Sequence, residues 1–143
     1  MTHIGAAMKK ISALILLIAA AFPVAAYSAN VCRNGNTIAQ IDASGVVRIN
    51  GSIEAAFESD GTIRRNGLVI GRIERNGNVV KNGRILGTVD ANGAVYRNGS
   101  IIGTVQRNGN VVRNGSVIGT AAGVPVKWAA VFFFFILPGE LMK

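Results

Sequence analysis

The chain has 143 residues, half of them apolar, with 18 glycines and a net charge of +8. This length allows one small domain once the two ends are set aside, and the glycine content predicts a core of many short strands. Cys32 is the only cysteine and His3 the only histidine, which excludes an internal disulfide and any site built on paired histidines or cysteines.

Residues 1–29 have the pattern of a bacterial export signal. Lys9 and Lys10 precede an apolar run over residues 11–22, and small residues dominate positions 23–29. We expect cleavage after Ala26, Ser28 or Ala29, and export to the periplasm, the cell envelope or the outside of a bacterium. The alternative is a retained membrane anchor, but the apolar run is short for a hydrocarbon core of about 30 Å.

A sixteen-residue repeat fills residues 30–123. Each unit carries Asn-Gly at its fifth and sixth places, as at Asn82-Gly83. Asn-Gly favours a type I′ turn because both residues tolerate positive φ, and β-branched residues flank each pair. The repeat therefore predicts a meander of short β-hairpins. Its six units begin at Asn30, Val46, Thr62, Asn78, Ala94 and Asn110.

Apolar residues recur at places two, nine and twelve of the units, as at Val79, Leu86 and Val89. We expect places two and nine to face each other across each hairpin, with Glu54 as the polar exception. In a regular strand, the side chains at places nine and twelve would point to opposite faces of the sheet. Because place ten is always small, as at Gly87, we expect a bulge or bend there that brings all three places to one core.

The second connection of each unit, such as Ala91-Asn92-Gly93, fits a three-residue loop that ends on a left-handed glycine. Place twelve then pairs with place two of the next unit, and closure of the curled sheet removes its exposed edges. The predicted fold is all-β: a shallow closed barrel or rosette of tandem hairpins, with an N-terminal signal helix and a short apolar C-terminal helix. A flat open meander or a β-solenoid is the alternative.

This repeat resembles that of the bacterial β-flower proteins, most closely the version with five-fold symmetry. The similarity covers residues 30–135 and consists of hairpins of the form NGxxIGxV…NG, behind a signal peptide and before a phenylalanine-rich tail. It implies a shallow pseudo-symmetric barrel of hairpin petals, in a family without an established biochemical activity. Six units against five petals leave the petal number open: the sixth unit, residues 110–123, either supplies the closing strand or packs outside.

The sequence predicts no catalytic site, no metal site and no cofactor, and hence no enzyme. The one histidine precedes the expected mature start, and the glycines occupy turn positions rather than a phosphate-binding loop before a helix. Glu58 and Asp60 are close in sequence, but both flank a turn and are interpreted as solvated loop residues.

Place four is basic in five of the six units, with Ile49 as the exception. Each cation flanks an Asn-Gly turn, so closure arranges these side chains as a ring on one rim. The ring either contacts phosphates of lipid or polysaccharide or protects the hairpin tips from aggregation. Nucleic acid is not an expected partner, because aromatic residues between the basic ones are nearly absent. The candidate residues are Arg33, Arg65, Lys81, Arg97 and Arg113.

The repeat stops in an apolar tail, residues 124–143. A helix over residues 128–137 would be about 15 Å long, half of a bilayer core, so we do not expect it to span a membrane. The tail either dips into a membrane interface or packs against the mouth of the barrel. We expect a short helix that covers one mouth, because exposed phenylalanines favour aggregation. The candidate contact residues are Trp128, Phe132, Phe133, Phe134 and Phe135.

These features together predict an exported, non-enzymatic envelope protein that associates with a membrane and contacts lipid through its apolar centre and its tail. The alternative is a scaffold for assembly or surface interaction that binds no lipid. The sequence identifies no protein partner.

Overall fold

A closed antiparallel barrel of twelve strands forms the body of the computed structural model, which describes residues 28–142. This confirms the predicted all-β closed barrel with a short apolar C-terminal helix; the predicted signal helix lies outside the described residues. The strands are β1 Ser28–Arg33, β2 Asn36–Asp42, β3 Val46–Ile49, β4 Ser52–Phe57, β5 Thr62–Arg65, β6 Leu68–Ile73, β7 Asn78–Lys81, β8 Arg84–Val89, β9 Ala94–Arg97, β10 Ser100–Val105, β11 Asn110–Arg113 and β12 Ser116–Thr120. Helix α1 spans Val126–Val131, and a π-helical segment follows at Phe132–Ile136.

The ring closes where β12 pairs with β1, through Cys32 opposite Thr120. The sixth unit therefore supplies the closing strand, and the described ring has six hairpins. At the start of β1, Ser28 and Ala29 already pair with Asp42 and Ile41. Of the three expected cleavage points, only that after Ala26 keeps this ladder intact.

Two kinds of reversal define the two rims of the barrel. The Asn-Gly pairs have φ of 52–53° at asparagine and 76–80° at glycine, which confirms the type I′ turns. These six turns form the tip rim. The connections between units form the loop rim; there Gly93, for example, has φ of 87° and donates its N–H to Asp90 O at 3.1 Å. The loops thus have the left-handed glycine that the sequence predicts.

The register inside each hairpin differs by one residue from the sequence-based expectation. Place two lies opposite place ten, as in Val79 and Gly87. The next pair is Val80 with Ile85, so Leu86 is the extra, unpaired residue of the bulge. The pairing of place two with place nine was therefore wrong, although the bulge itself is present. Between units, place twelve pairs with place two as predicted, for example Val89 with Val95.

This register gives the barrel a small-residue inner wall. Place two is valine or isoleucine and fully buried in every unit, and place twelve is also buried. Place ten, which lies opposite place two, is a buried glycine or alanine. Place nine is only half-buried because it is the extra residue of the bulge. The wall therefore leaves space at the centre, and the tail occupies that space.

Replacing Gly83 by valine should lower the free energy of unfolding by more than about 1 kcal/mol, because a β-branched residue resists positive φ. Apart from its chain neighbours, no heavy atom lies within 4 Å of a Cβ added at Gly83, so the cost arises in the backbone alone. Asn82→Gly keeps the turn conformation and should be mild. Denaturant unfolding of both variants measures the difference, and equal destabilisation would contradict the type I′ assignment.

Candidate functional site

The tail runs through the barrel from the loop rim to the tip rim. Near its start, Trp128 stacks on Phe57 of β4, with ring centroids 5.4 Å apart. All four phenylalanines are then buried, and Glu140 reaches the basic residues of the tip rim. The tail was expected to cover one mouth of the barrel; instead it fills the interior. Trp128 is half-buried at the loop rim.

Three of the four phenyl rings pack where a glycine at place ten carries no side chain. A Cβ added to Gly119 would lie 2.6 Å from Phe133 Cε1, and one added to Gly87 would lie 2.7 Å from Phe135 Cζ. Gly103 stands in the same relation to Phe134. The glycines of successive units thus accommodate successive phenylalanines, and this explains why place ten must be small.

The last turn of the tail is held at the tip rim by two of the predicted ring residues. Arg97 forms an ion pair with the Glu140 carboxylate, and its guanidinium lies 5.2 Å from the centroid of the Phe135 ring. Lys81 Nζ donates to the backbone carbonyl of Glu140 at 3.0 Å. Leu141 then folds back, and its N–H donates to Phe135 O at 3.2 Å. Glu140 and Leu141 were not singled out from the sequence.

The other three ring residues have different surroundings. Arg65 lies 3.5 Å from Glu54, the polar residue at place nine of the second unit. Arg33 and Arg113 are exposed, and neither has an acidic partner among residues 28–142. The place-four residues do lie around one rim, but two hold the tail, one is neutralised, and two remain open to solvent.

A second feature of the tip rim was missed in the sequence. The structure exposes five large apolar side chains at place eight, each 57–62 % accessible, and Leu68 at place seven adds a sixth. Place eight pairs with place three next to each turn, as in Ile85 with Val80. The signal was present as a β-branched residue at one constant place on the outer face. We call these residues the tip belt: Ile53, Leu68, Val69, Ile85, Ile101 and Val117.

Acidic residues gather at the opposite, loop rim, mostly at place thirteen. Burial raises the pKa of Asp42, but hydrogen bonds from Ser44, Val46 and Arg48 outweigh this and hold the pKa below its usual value. The Thr62 N–H, which donates to Asp60 Oδ1 at 2.9 Å, is the main cause of a lowered pKa at Asp60. These two carboxylates therefore stay ionised at neutral pH, and most of the acidic residues of the described chain lie at the loop rim, where two of them pair with Arg48 and Arg64.

A cavity of about 220 Å³ opens at the loop rim beside Trp128. Glu58 and Asp60 line it, but Glu58 pairs with Arg64 at 2.6 Å and Asp60 caps its own turn. Neither carboxylate is poised for proton transfer. Within residues 28–142, no three His, Cys, Asp or Glu side chains come together as metal ligands.

The model of the family described as 5-fold beta-flower protein matches residues 31–137. This match confirms the resemblance of the repeat, while the described ring contains six hairpins rather than five. No curated protein and no solved structure matched the chain. Within the described part of the chain, no helix has the length and apolar character needed to cross a membrane.

Deletion of residues 125–143 should remove the filling of the barrel and expose the place-two side chains. We expect the melting temperature to fall by several degrees or cooperative melting to disappear, with increased binding of a hydrophobic dye. Calorimetry and dye fluorescence provide the measurement. If the truncated chain melts like the parent and only moves from a membrane fraction to a soluble one, the tail is an anchor rather than a core.

Proposed function

The chain belongs to the family of 5-fold beta-flower proteins, and we propose that it is a non-enzymatic, exported module that docks on a lipid surface with its tip rim. The observation that carries this proposal is the tip belt. All the large exposed hydrophobic residues of the described chain lie at places seven and eight. Monomeric proteins rarely gather exposed apolar side chains in one zone unless that zone binds something.

The symmetry of the barrel suits a flat partner. Because each unit repeats the same pairings, with place eight opposite place three and place twelve opposite place two, equivalent residues recur at one level around the ring. A planar surface meets several tips at once. Full burial of one Val or Ile side chain contributes about 1.5–3 kcal/mol. Belt residues are already partly covered, so stable docking needs several tips together.

The distribution of charge favours an anionic surface. The tip rim carries Arg33, Arg84 and Arg113 without acidic partners among the described residues, whereas the acids of place thirteen lie at the other rim. Docking tip-first places these cations against the partner and keeps the place-thirteen carboxylates away from it, while the two tip-rim carboxylates, Glu54 and Glu140, are paired with arginines.

The proposal assigns lipid contact to the belt rather than to the phenylalanine tail. The four phenyl rings are buried by the barrel, and contact with lipid would require the core to be emptied. Belt side chains need no such rearrangement. The predicted export signal fits this role, since an exported chain meets lipid surfaces in the envelope.

Flotation with vesicles of phosphatidylethanolamine and phosphatidylglycerol tests the proposal. The protein should begin at Tyr27, so that β1 stays whole. We expect the parent to float with the vesicles and Ile85→Ser/Ile101→Ser to lose roughly tenfold or more in binding, because two apolar contacts are removed. Both side chains are exposed, so the melting temperature should barely change.

The matched control is Ile85→Val/Ile101→Val, which keeps both sites apolar and should bind like the parent. Loss of binding in serine variants and retention in valine variants supports docking through the belt. A parent that does not float contradicts the proposal. If the serine variants instead dissociate an oligomer seen by size-exclusion chromatography, the belt is a protein interface, as in the scaffold alternative.

A further inference from the structure

The outer wall of the barrel differs between its two sides. Near every tip, the residues at places three and eight form a cross-strand pair whose side chains point outward. In the fourth, fifth and sixth hairpins, β7–β12, both members of this pair are apolar. The three place-eight side chains are 57–62 % exposed, and the three place-three side chains are half-buried. We call these six residues the apolar wall: Val80, Ile85, Tyr96, Ile101, Val112 and Val117.

The second and third hairpins, β3–β6, carry arginine at place three instead. Arg48 Nη1 lies 3.2 Å from Asp42 Oδ2, and Arg64 Nε lies 2.6 Å from Glu58 Oε2. Transfer of such ion pairs from water to an apolar surrounding costs free energy, because each charge loses its hydration. The fourth, fifth and sixth hairpins have no charged residue at places one, three, eight or eleven, which share the outer face. Their side of the barrel therefore loses contact with water at a lower cost.

Polarity on this side changes in steps along the barrel axis. Place eleven, the next outward position towards the loop rim, is threonine in all three hairpins: Thr88, Thr104 and Thr120. Thr88 pairs with Tyr96, and Thr104 pairs with Val112. Tyr96 thus lies between the apolar tips and a band of hydroxyl groups. Tyrosine is favoured at membrane–water interfaces because its ring is apolar and its hydroxyl is polar.

The grooves between neighbouring hairpins follow the same asymmetry. A groove of about 470 Å³ opens on the outer wall between the fourth and fifth hairpins, and Ile85 at place eight and Tyr96 at place three line it. The corresponding groove between the first and second hairpins has about 160 Å³, and Thr37 and Arg48 occupy the same two places. The groove of the apolar wall is thus larger, and the side chains on its two sides favour contact with hydrocarbon.

We infer that the apolar wall is the face that contacts the lipid, so that the barrel leans on its fourth, fifth and sixth hairpins with Tyr96 at the depth of the headgroups. A lipid leaflet passes from hydrocarbon to headgroups to water, and this side of the barrel has the same order from tip to loop rim. A protein partner would not need that order in three successive hairpins. The inference rests on the proposed docking of the tip rim, and it adds an orientation and Tyr96 as a contact residue.

Two double variants with the same chemistry on opposite sides of the barrel test the inference. Ile101→Ser/Val117→Ser changes the apolar wall, and Ile53→Ser/Val69→Ser changes the second and third hairpins. Each removes one isoleucine and one valine from place eight, and all four side chains are 57–61 % exposed. On vesicles of phosphatidylethanolamine and phosphatidylglycerol, the affinity of the wall variant should fall roughly tenfold or more below that of the parent. The control variant should bind within about threefold of the parent.

A fluorescent label gives a second, independent readout. In a Cys32→Ser background, Ala56→Cys and Thr104→Cys each place one label at place eleven, on opposite sides of the barrel. With vesicles, the emission of an environment-sensitive dye such as nitrobenzoxadiazole should rise and shift to shorter wavelength at position 104. It should stay unchanged at position 56, which remains in water.

Equal weakening by both double variants, or an equal dye response at both positions, overturns the inference, and the proposed docking of the tip rim then still stands. A parent that does not float with the vesicles overturns both. If the wall variant dissociates an oligomer and binds vesicles like the parent, the apolar wall is a protein interface and the inference fails. Unchanged melting temperatures establish that the variants are folded.

Discussion

Successive residues of a helix are turned by about 100°, so four consecutive phenylalanines point to all sides of it. A helix that is apolar all round is stable only when it is surrounded. The barrel surrounds it, and glycines at place ten leave room for rings at Gly87, Gly103 and Gly119. The phenylalanines lie in a π-helical turn, in which Leu137 N–H donates to Phe132 O at 2.8 Å. Barrel and tail therefore complete one core, and each lacks a packing partner without the other.

This fit breaks the symmetry of the repeat. The tail ends among the tip-rim cations and engages Arg97 and Lys81, while Glu54 engages Arg65. The repeat supplies equivalent residues, but the tail and one degenerate unit decide which of them stay available to a partner. The interior of the barrel is thus filled by the tail and stabilises the fold. The exposed side chains at the hairpin tips are the groups that remain for binding a partner.

Much of the fold is predictable from sequence because the determinants are local. Positive φ at Asn82-Gly83 sets a turn, a left-handed glycine such as Gly93 sets a loop, and the sixteen-residue spacing then makes one unit pair with the next. The position of the bulge is not set by local sequence alone. A shift of the register by one residue changes whether place nine or place ten lies opposite Val79. The threading of the tail is also tertiary. The sequence gives one sign of it: place ten is alanine in the first units, as at Ala39, and glycine from Gly71 onward. The side chains of the tail pack against those glycines.

The most direct test of the shared core is a double-mutant cycle between wall and tail. A Cβ at Gly71 would lie 2.7 Å from Leu141 Cδ2, so Gly71→Ala should cost about 1–3 kcal/mol and Leu141→Ala about 2–5 kcal/mol. If the tail fills the barrel, the double variant will be more stable than the sum of the two single effects predicts, by about 1 kcal/mol or more in the free energy of unfolding. The reason is that alanine at position 141 removes the atom that the new Cβ at position 71 would overlap. Gly119→Ala, which faces Phe133 instead, should combine with Leu141→Ala additively within about 0.5 kcal/mol. Additivity in both cycles would contradict the account.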